Sequence, residues 1–398
     1  MSTEDDGRRQ GGGTRLGTAI NAALLSPTGD YRAAGMHRYL SGLLSALAAR
    51  ADLALDVWAP GGRAAAAVVA GAERIRWHAA PPAAGRPLGR IAWEQTRLAA
   101  ELRRGPWHAF HGPAHAMPVL CPRPAVVTAH DLSFVRMPEV FPRTQGWYLR
   151  AAMRHAARRA RVIIAVSAFT RAELLAVYGL PESRIHVVHN GVDPACRPLP
   201  PAAVAAWRDA AGLPERYVLA VGTLQPRKNL RILLEAWPHL VARLPDAPPL
   251  VIAGAPGWGD TDLGGLAARL GIADRVRFPG FIPQEDLPLL YNGAQALALP
   301  SRYEGFGLPV AEAMACGCPA VVATGSSLTE VAGDAALHAP PDAAEAWAEA
   351  LARLLTDPAL AAGLRRRGLA RAADLTWERA ATGTAAAYRS AAGGSLSA

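Results

Sequence analysis

The sequence predicts an α/β protein that contains two doubly wound parallel sheets. The chain has 398 residues, which is too long for one ordinary hydrophobic core. Short apolar runs of strand length alternate with helix-like segments, and this alternation is typical of a parallel sheet. The alternation pauses once, at the proline-rich residues 190–204, and then resumes. We therefore expect two α/β halves of similar length joined by a proline-rich linker.

Each half contains five predicted strands that end in polar or small residues. They are residues 18–25, 53–59, 107–112, 124–131 and 161–167, then 217–222, 249–254, 275–280, 294–300 and 318–323. The predicted division is a disordered tail (1–15), a first domain (16–200), a second domain (201–375) and a C-terminal segment (376–398). Ligands of open α/β sheets bind at the carboxyl ends of the strands, so polar residues at those ends are candidate site residues.

The composition limits the classes of function. The formal net charge of +9 favours anionic partners such as nucleic acid, an anionic membrane or phosphorylated small molecules. The four cysteines have no CxxC spacing, which argues against a zinc site or a disulfide framework and favours a reduced, cytoplasmic setting. The N-terminus lacks the apolar core of a signal peptide, and no run of about 18 apolar residues predicts a membrane span.

The stretch SRYEGFGLPVAEAMACG at residues 301–317 holds two glutamates around a glycine-rich turn. It follows a predicted strand, and Pro309 suits the first turn of a helix that Gly317 would end. Glu304 then lies in the turn and Glu312 lies early in the helix. Backbone amides at the helix start suit phosphate oxygens, and carboxylates accept hydrogen bonds from sugar hydroxyls. Alternatively, Glu312 simply caps or solvates the helix.

The segment VGTLQPRKNL at residues 221–230 places two adjacent cations after a strand. Gly222 permits a close backbone approach, and Arg227 with Lys228 suits a diphosphate, which arginine can bind through two hydrogen bonds. The alternative is a solvated basic turn. The position at a strand end favours the functional interpretation.

Two more segments follow strands in the first half. TAHDLSF, residues 128–134, brings His130 and Asp131 to a strand end, although an isolated histidine is more often structural. TGDYRAAGMHRYL, residues 28–40, offers Gly35 at a turn before a helix, where it could line a phosphate or acceptor pocket or merely punctuate a loop.

Together these segments resemble the family 4 glycosyltransferases of the GT-B fold. The resemblance rests on six motifs in order: the glycine loop, the HD dipeptide, SAFTRAEL (167–174), HNGVD (189–193), GTLQPRKN (222–229) and EGFGLPVAEAMACGCP with its E-x7-E spacing. It spans residues 17–377. It implies two Rossmann-like domains facing a cleft, a nucleotide-sugar donor held mainly by the second domain, and transfer with retention of anomeric configuration without a metal or other cofactor.

The resemblance also implies roles for individual residues. Arg227 and Lys228 would hold the donor diphosphate, Glu312 the ribose and Glu304 the hydroxyls of the donor sugar. Phe306, Gly307 and Leu308 would offer backbone amides, and His130 would lie near the reacting sugar carbon. The remaining residues assigned to the donor site are Gly35, Asp131, Asn190, Gly222 and Gly305. A C-terminal helix at 375–391 would cross back to the first domain.

Three features depart from the family pattern or allow a second interpretation. Many relatives have GGxGRY in the first loop, but Ala34 and His37 replace two of the glycines here, which weakens the expectation of a phosphate contact there. Asp260 and Asp262 have the spacing of a metal-binding DxD motif, but we interpret them as a solvated turn. Arginines at helical spacing in residues 150–161 could meet an anionic membrane or a lipid-linked acceptor, although a solvated helix face is favoured.

Other functions are less consistent with the sequence. A GT-B nucleotide-sugar epimerase is the nearest alternative, and a phosphorylase would need a suitable pyridoxal phosphate lysine. A nucleic-acid-binding protein is suggested only by charge, and no aromatic-rich basic platform supports it. The intact site residues argue against an inactive sugar-nucleotide binder. Residues 128–142 resemble bacterial mannosyltransferases, so GDP-mannose is the first expected donor and a UDP-hexose the second. The expected acceptor is a saccharide, lipid-linked or small-molecule hydroxyl.

Overall fold

The computed structural model describes residues 15–26, 34–257 and 262–393. These residues form two compact units. The first unit contains the described residues up to Arg136, then Phe141–Gly191, then the chain from Trp377 onward; the second contains Met137–Val140 and Val192–Thr376. The main division therefore falls between Gly191 and Val192, before the predicted boundary at residue 200. Most of the predicted N-terminal tail lies outside the described residues.

Within the described residues, the first unit has one seven-stranded sheet in the order β3-β2-β1-β4-β5-β6-β7, and all of its pairings are parallel. The strands are β1 (Leu16–Asn21), β2 (Leu53–Pro60), β3 (Ile75–Ala80), β4 (Ala109–Gly112), β5 (Ala125–Ala129), β6 (Val162–Ala165) and β7 (Ile185–Val187). The direction of winding reverses between β1 and β4, so the carboxyl ends of these two strands flank a crevice of the kind that binds ligands in such sheets.

In the described part of the second unit, six parallel strands run in the order β10-β9-β8-β11-β12-β13. They are β8 (Val218–Val221), β9 (Leu250–Ala253), β10 (Val276–Gly280), β11 (Ala296–Leu299), β12 (Ala320–Ala323) and β13 (Ala336–Ala339). Here the winding reverses between β8 and β11. The two sheets confirm the predicted class, an α/β protein with two doubly wound parallel sheets.

Helices connect the strands in both units. Those of the first unit are α1 (Ala34–Ala48), α2 (Pro87–Trp93), α3 (Ala99–Arg104), α4 (Ser133–Arg136), α5 (Arg143–Arg159), α6 (Ala168–Tyr178) and α15 (Trp377–Ala392). Those of the second are α7 (Pro201–Ala210), α8 (Leu230–Arg243), α9 (Leu263–Arg269), α10 (Leu287–Gly293), α11 (Leu308–Ala315), α12 (Ser327–Ala332), α13 (Ala344–Thr356) and α14 (Pro358–Ala372). The helix predicted to follow Gly35 is α1, and the last residues of the predicted linker, 201–204, form the start of α7.

The last helix, α15, belongs to the core of the first unit. Its buried face, which includes Trp377, Ala381 and Tyr388, packs in one cluster with α1 and with β1 and β2. Gly42 on α1 makes this packing possible, because a Cβ atom there would lie 2.2 Å from Cε2 of Trp377. The first sheet is therefore covered on this face by the first and the last helix of the unit.

A buried polar network ties α15 to the middle of the sheet. The Nδ1 atom of His111 on β4 lies 2.8 Å from the Tyr388 hydroxyl, and its Nε2 atom lies 2.9 Å from the Thr128 hydroxyl on β5. The Thr128 hydroxyl is also 3.0 Å from that of Tyr39 on α1. Burial lowers the pKa of His111 to about 3, so the imidazole is neutral and one ring nitrogen donates while the other accepts.

The close contact between α1 and α15 predicts the effect of filling Gly42. Gly42→Ala should lower the free energy of unfolding by about 1–3 kcal/mol, because the methyl group has no space beside the Trp377 indole. Thermal or urea unfolding measures this change. The matched control is Gly264→Ala on α9, where a Cβ atom meets nothing within 4 Å and alanine should stabilise the helix slightly. Equal effects of the two substitutions would contradict the proposed packing.

Candidate active site

The predicted cations and Glu304 lie at the winding reversal of the second sheet. Arg227 and Lys228 follow β8, and Glu304 follows β11, its neighbour in the sheet. The carboxyl ends of adjacent parallel strands meet at one edge, so residues about 76 positions apart in the sequence come together there.

The turn after β8 has a fixed local structure. Gly222 ends the strand at a φ of 142°, a conformation that favours glycine. Pro226–Lys228 form a single 3₁₀ turn, and Asn229 follows with a φ of 55°. The Asn229 side chain donates hydrogen bonds to the carbonyls of Pro300 (3.2 Å) and Pro341 (2.7 Å). This amide therefore attaches the cationic turn to the end of β11.

The Glu304 carboxylate bonds both cations. Its Oε2 atom accepts from the Arg227 guanidinium at 2.9 Å, and its Oε1 atom accepts from the Lys228 ammonium at 2.6 Å. Arg227 also donates to the Tyr303 carbonyl at 2.6 Å. The side chains of Arg227, Lys228 and Glu304 are only 13%, 12% and 9% exposed. We call these three residues the charged cluster.

The charged cluster carries a net positive charge. Burial alone would raise the pKa of Glu304, but Lys228 and Arg227 outweigh this effect and lower the pKa to about 2. Glu304 is thus ionised at neutral pH, and its one negative charge offsets only one of the two positive charges. A net charge of +1 in a largely buried setting attracts an anionic ligand more strongly than the same charge would in water.

The turn that carries Glu304 leads into α11. Gly307 precedes the helix with a φ of 94°, and a Cβ atom on it would lie 2.4 Å from the Leu328 side chain. Leu308 and Pro309 begin the helix as predicted. Ser327, at the start of α12, donates its hydroxyl hydrogen to the Glu304 carbonyl at 2.8 Å. The helix start directs backbone amides toward this turn.

Glu312 lies on α11 and contacts a different group. Its carboxylate is buried, and its Oε2 atom accepts a hydrogen bond from the Tyr291 hydroxyl on α10 at 2.8 Å. The structure confirms that Glu304 lies in the turn and Glu312 lies on the helix. It also shows that the two carboxylates have separate partners, since Glu304 is bonded to the two cations.

His130 lies in the first unit, at the end of β5. Its Nε2 atom donates to the Pro113 carbonyl at 2.7 Å, and its backbone amide donates to Nε2 of His115 at 3.0 Å. The Tyr39 ring meets it edge-on at 4.5 Å. Burial and the neighbouring His115 lower the pKa of His130 to about 4. The imidazole is therefore neutral at physiological pH, and its ring orientation is set by one loop.

The loop before β5 also sets the backbone at this point. His115 has a φ of 60°, and its Nε2 atom accepts from the amides of both His130 and Asp131. The Asp131 carboxylate accepts from the amide and hydroxyl of Ser133 at 3.0 and 2.7 Å, so it caps the start of α4. A donor contact for Asp131 stays a prediction.

The other predicted site residues are dispersed. Gly35 is an exposed residue near the start of α1, and the preceding loop, residues 27–33, lies outside the described residues. Asn190 is buried at the end of the first unit, and its Oδ1 atom has no hydrogen-bond partner among the described residues. Gly305 and Phe306 lie in the Glu304 turn, and the Phe306 side chain is buried. The Asp262 carboxylate caps α9 through the Gly265 amide at 2.8 Å, whereas Asp260 lies outside the described residues.

Four residues that the sequence analysis did not assign shape these sites. Asn229 holds the cationic turn, and Tyr291 donates a hydrogen bond to Glu312. Ser327 holds the Glu304 turn, and His115 holds the His130 turn. Asn229 directly follows the two cations, which was an available signal. No sequence pattern distinguishes Tyr291, because it is one of several buried residues on an ordinary helix.

The described ranges contain neither a cluster of metal-ligating side chains nor a helix suited to cross a membrane. No group of three or more histidine, cysteine, aspartate or glutamate side chains there is arranged to hold a metal ion. None of the helices in the described part of the chain is both long enough and apolar enough to span a bilayer.

The sequence matches known proteins in both halves. It matches the family model for Glycosyltransferase Family 4 over residues 33–195 and the model for Glycosyl transferases group 1 over residues 205–371. Over 301 residues it is 36% identical to O-antigen chain mannosyltransferase B of Escherichia coli, which covers 74% of this chain and 77% of that protein.

Solved structures with low sequence identity share the fold. Sucrose-phosphate synthase from Thermosynechococcus elongatus matches with a TM-score of 0.74 and 23% identity, over 94% of this chain and 98% of that one. HepE of Anabaena, solved with UDP and glucose, matches with a TM-score of 0.72 and 21% identity, over 94% of this chain and 99% of that one. The two family matches, the extended relationship to the mannosyltransferase and the shared fold show that this chain belongs to the family 4 glycosyltransferases of the GT-B fold and is a glycosyltransferase.

Proposed function

We propose that this glycosyltransferase moves a hexose from a nucleotide-sugar donor to an acceptor hydroxyl, with retention of configuration and without a metal ion. The observation that carries the proposal is the charged cluster at the winding reversal of the second sheet. Two cations and a helix start lie together at the edge of the sheet where ligands of this class of fold bind.

The charged cluster suits the donor diphosphate. Its net charge is positive, and both cations are largely buried, so they lose little further hydration when an anion arrives. Arginine and lysine donate charge-assisted hydrogen bonds to phosphate oxygens, which are among the strongest in proteins. Glu304 holds both cations in place before the donor binds.

The same cluster could replace a metal ion in the reaction. Breaking the glycosidic bond of the donor leaves growing negative charge on the departing nucleoside diphosphate. Fixed positive charges and helix-start amides stabilise such charge without the reorganisation that water would need. Arg227 and Lys228 would therefore act as the electrophile, and we assign Glu304 no covalent role.

The two glutamates would contact different parts of the donor. Glu304 lies beside the cations in the turn, next to the proposed position of the diphosphate, where the donor sugar begins. Glu312 lies further along α11, where it would accept from the ribose hydroxyls while Tyr291 orients its carboxylate. Phe306, Gly307 and Leu308 would supply backbone amides between these two positions.

In the first unit, His130 would serve the reacting sugar as a neutral group. Its low pKa excludes a permanent imidazolium at neutral pH, so a hydrogen bond to a sugar hydroxyl is its proposed role. Because Nε2 donates to the Pro113 carbonyl, Nδ1 carries the lone pair in this tautomer and would accept that hydrogen bond.

Mannose is the first proposed sugar, with GDP as the nucleotide. The support is the relationship to O-antigen chain mannosyltransferase B. A UDP-hexose is the second candidate, since HepE was solved with UDP and glucose. The proposed acceptor is a saccharide, lipid-linked or small-molecule hydroxyl, and the proposed setting is the cytoplasm with peripheral membrane contact through residues 150–161.

A thermal-shift experiment tests the donor and the need for a metal together. In excess EDTA, GDP should raise the melting temperature more than UDP or ADP, because a ligand at about 100 times its Kd stabilises the fold by about 2.7 kcal/mol. Transfer from GDP-mannose should continue in the same buffer. A larger shift with UDP would favour the UDP-hexose. A shift or transfer that returned only with magnesium or manganese would contradict the metal-free proposal.

Removing either cation should weaken diphosphate binding. Arg227→Ala and Lys228→Ala should each lower the affinity for the free nucleoside diphosphate by about 10- to 100-fold, which corresponds to a lost charge-assisted bond of about 1.5–3 kcal/mol. Calorimetry with the preferred nucleotide measures this. The control is Arg231→Ala, an exposed residue of α8 that pairs with Glu235. Unchanged affinity in both cluster variants would remove these residues from the donor site.

The two glutamates should behave differently when made neutral. Glu312→Gln should weaken both the free diphosphate and the sugar donor, because both contain ribose. Glu304→Gln raises the net charge of the cluster, so affinity for the free diphosphate should not fall, whereas kcat with the sugar donor should. Glu235→Gln on the exposed face of α8 is the control. Equal loss of both ligands in both variants would contradict this division.

A further inference from the structure

A second surface of the first unit combines exposed apolar side chains with a dense group of arginines. The loop between β4 and β5 exposes Val119 (54%) and Leu120 (66%), and α5 exposes Trp147 (69%). Isolated exposed apolar residues are common, but these three adjoin one basic region. That combination is typical of proteins that lie on a lipid surface.

The basic side chains lie on the exposed surface of α5 and at Arg161, just after the helix ends. The exposed arginines are Arg154, Arg158, Arg159 and Arg161. Trp147, Arg154 and Arg158 are spaced by seven and four residues, so they share one face of the helix. Arg150, which the sequence analysis included in this face, is instead half-buried and donates to the Phe134 carbonyl at 3.1 Å.

The loop and the helix form one continuous surface. Val119 and Leu120 line the same groove as Arg158 and Arg159, so the loop lies beside the C-terminal end of α5. A groove of about 550 Å³ runs between them. Its lining includes Val119, Leu120, Arg103, Arg158, Arg159 and Arg161. We call the groove together with the exposed face of α5 the basic–apolar surface.

Negative charge is missing from the two segments that build most of this surface. Residues 113–125 and 143–161 contain no aspartate or glutamate. Among the residues that the structure describes, no carboxylate forms an ion pair with Arg154, Arg158, Arg159 or Arg161. The positive charge is therefore not neutralised within the fold, and it adjoins side chains that favour an apolar environment.

We propose that the basic–apolar surface docks the enzyme onto a bilayer of anionic phospholipid. Guanidinium groups bind phosphate oxygens of lipid headgroups, and exposed Leu120, Val119 and Trp147 enter the boundary between headgroups and acyl chains. Nucleic acid fits less well, because bases need exposed aromatic platforms and Trp147 is a single exposed ring. Docking does not depend on the proposed donor, since none of these residues belongs to the charged cluster.

Vesicle co-sedimentation of the full chain tests the proposal. The protein should bind vesicles of equal parts phosphatidylglycerol and phosphatidylcholine, should not bind phosphatidylcholine alone, and should dissociate as salt is raised. Arg158→Glu combined with Arg161→Glu should weaken binding by about 30-fold or more, since each basic residue near an anionic surface contributes about a factor of five. Leu120→Ser, which removes no charge, should also weaken binding measurably.

The matched control is Arg277→Glu combined with Arg366→Glu, two exposed residues of the second unit with the same change in net charge. It should retain most of the vesicle binding. Melting temperature and nucleotide affinity of each variant should equal those of the parent chain, which separates this test from the donor proposal. Absence of binding to anionic vesicles, equal loss in the control pair, or binding to RNA without binding to vesicles would overturn the proposal.

Discussion

The charged cluster depends on one buried carboxylate. Without Glu304, the Arg227 and Lys228 side chains would place two like charges next to each other in a largely buried position, which is strongly unfavourable. Glu304 gives each cation an oxygen atom, at 2.9 and 2.6 Å. Because the cations follow β8 and the carboxylate follows β11, the same two bonds fix the relative position of both loops.

The two units offer different chemistry. In the second unit, the single negative charge of Glu304 offsets only part of the positive charge of Arg227 and Lys228, so a net positive electrostatic field remains. The first unit supplies neutral polar groups: His111, His130 and His115 all have pKa values lowered by burial. Their hydrogen bonds orient rings and backbone without adding charge. The charged cluster of the second unit suits an anion, whereas these buried histidines act on the structure of the first unit.

The sequence was sufficient for the fold class and for ten strands. Nine of these are interior strands, which are largely apolar runs, and the tenth, β10, lies at a sheet edge. The three strands it missed are β3, β7 and β13, and all three lie at a sheet edge. These three strands are partly exposed or short: β3 carries Arg76 and His78 among its six residues, and β7 has only three residues. Such segments have no apolar run to detect.

The position of Arg227, Lys228 and Glu304 after predicted strands was enough to locate the charged cluster, but not its internal bonding. Sequence analysis assigned the cations to the phosphate and Glu304 to the sugar, as though they were independent groups. Their direct pairing depends on the conformations of the two turns and on the Asn229 hydrogen bond that connects them. Residue spacing in the sequence carries no information on either feature. The same is true of His115, whose contact with the His130 turn depends on a positive φ in the loop before β5.

The position of α15 has a consequence for the order in which the protein forms. The first unit is completed by α15, which follows the second unit in the sequence, so the second unit interrupts the first along the chain. On the ribosome, the second unit can fold as soon as it emerges. The first sheet must wait with an uncovered apolar face until Trp377 and Tyr388 arrive. A nascent chain that stops short of these residues would thus carry a folded second unit and an incomplete, aggregation-prone first unit, which is the kind of state that chaperones bind.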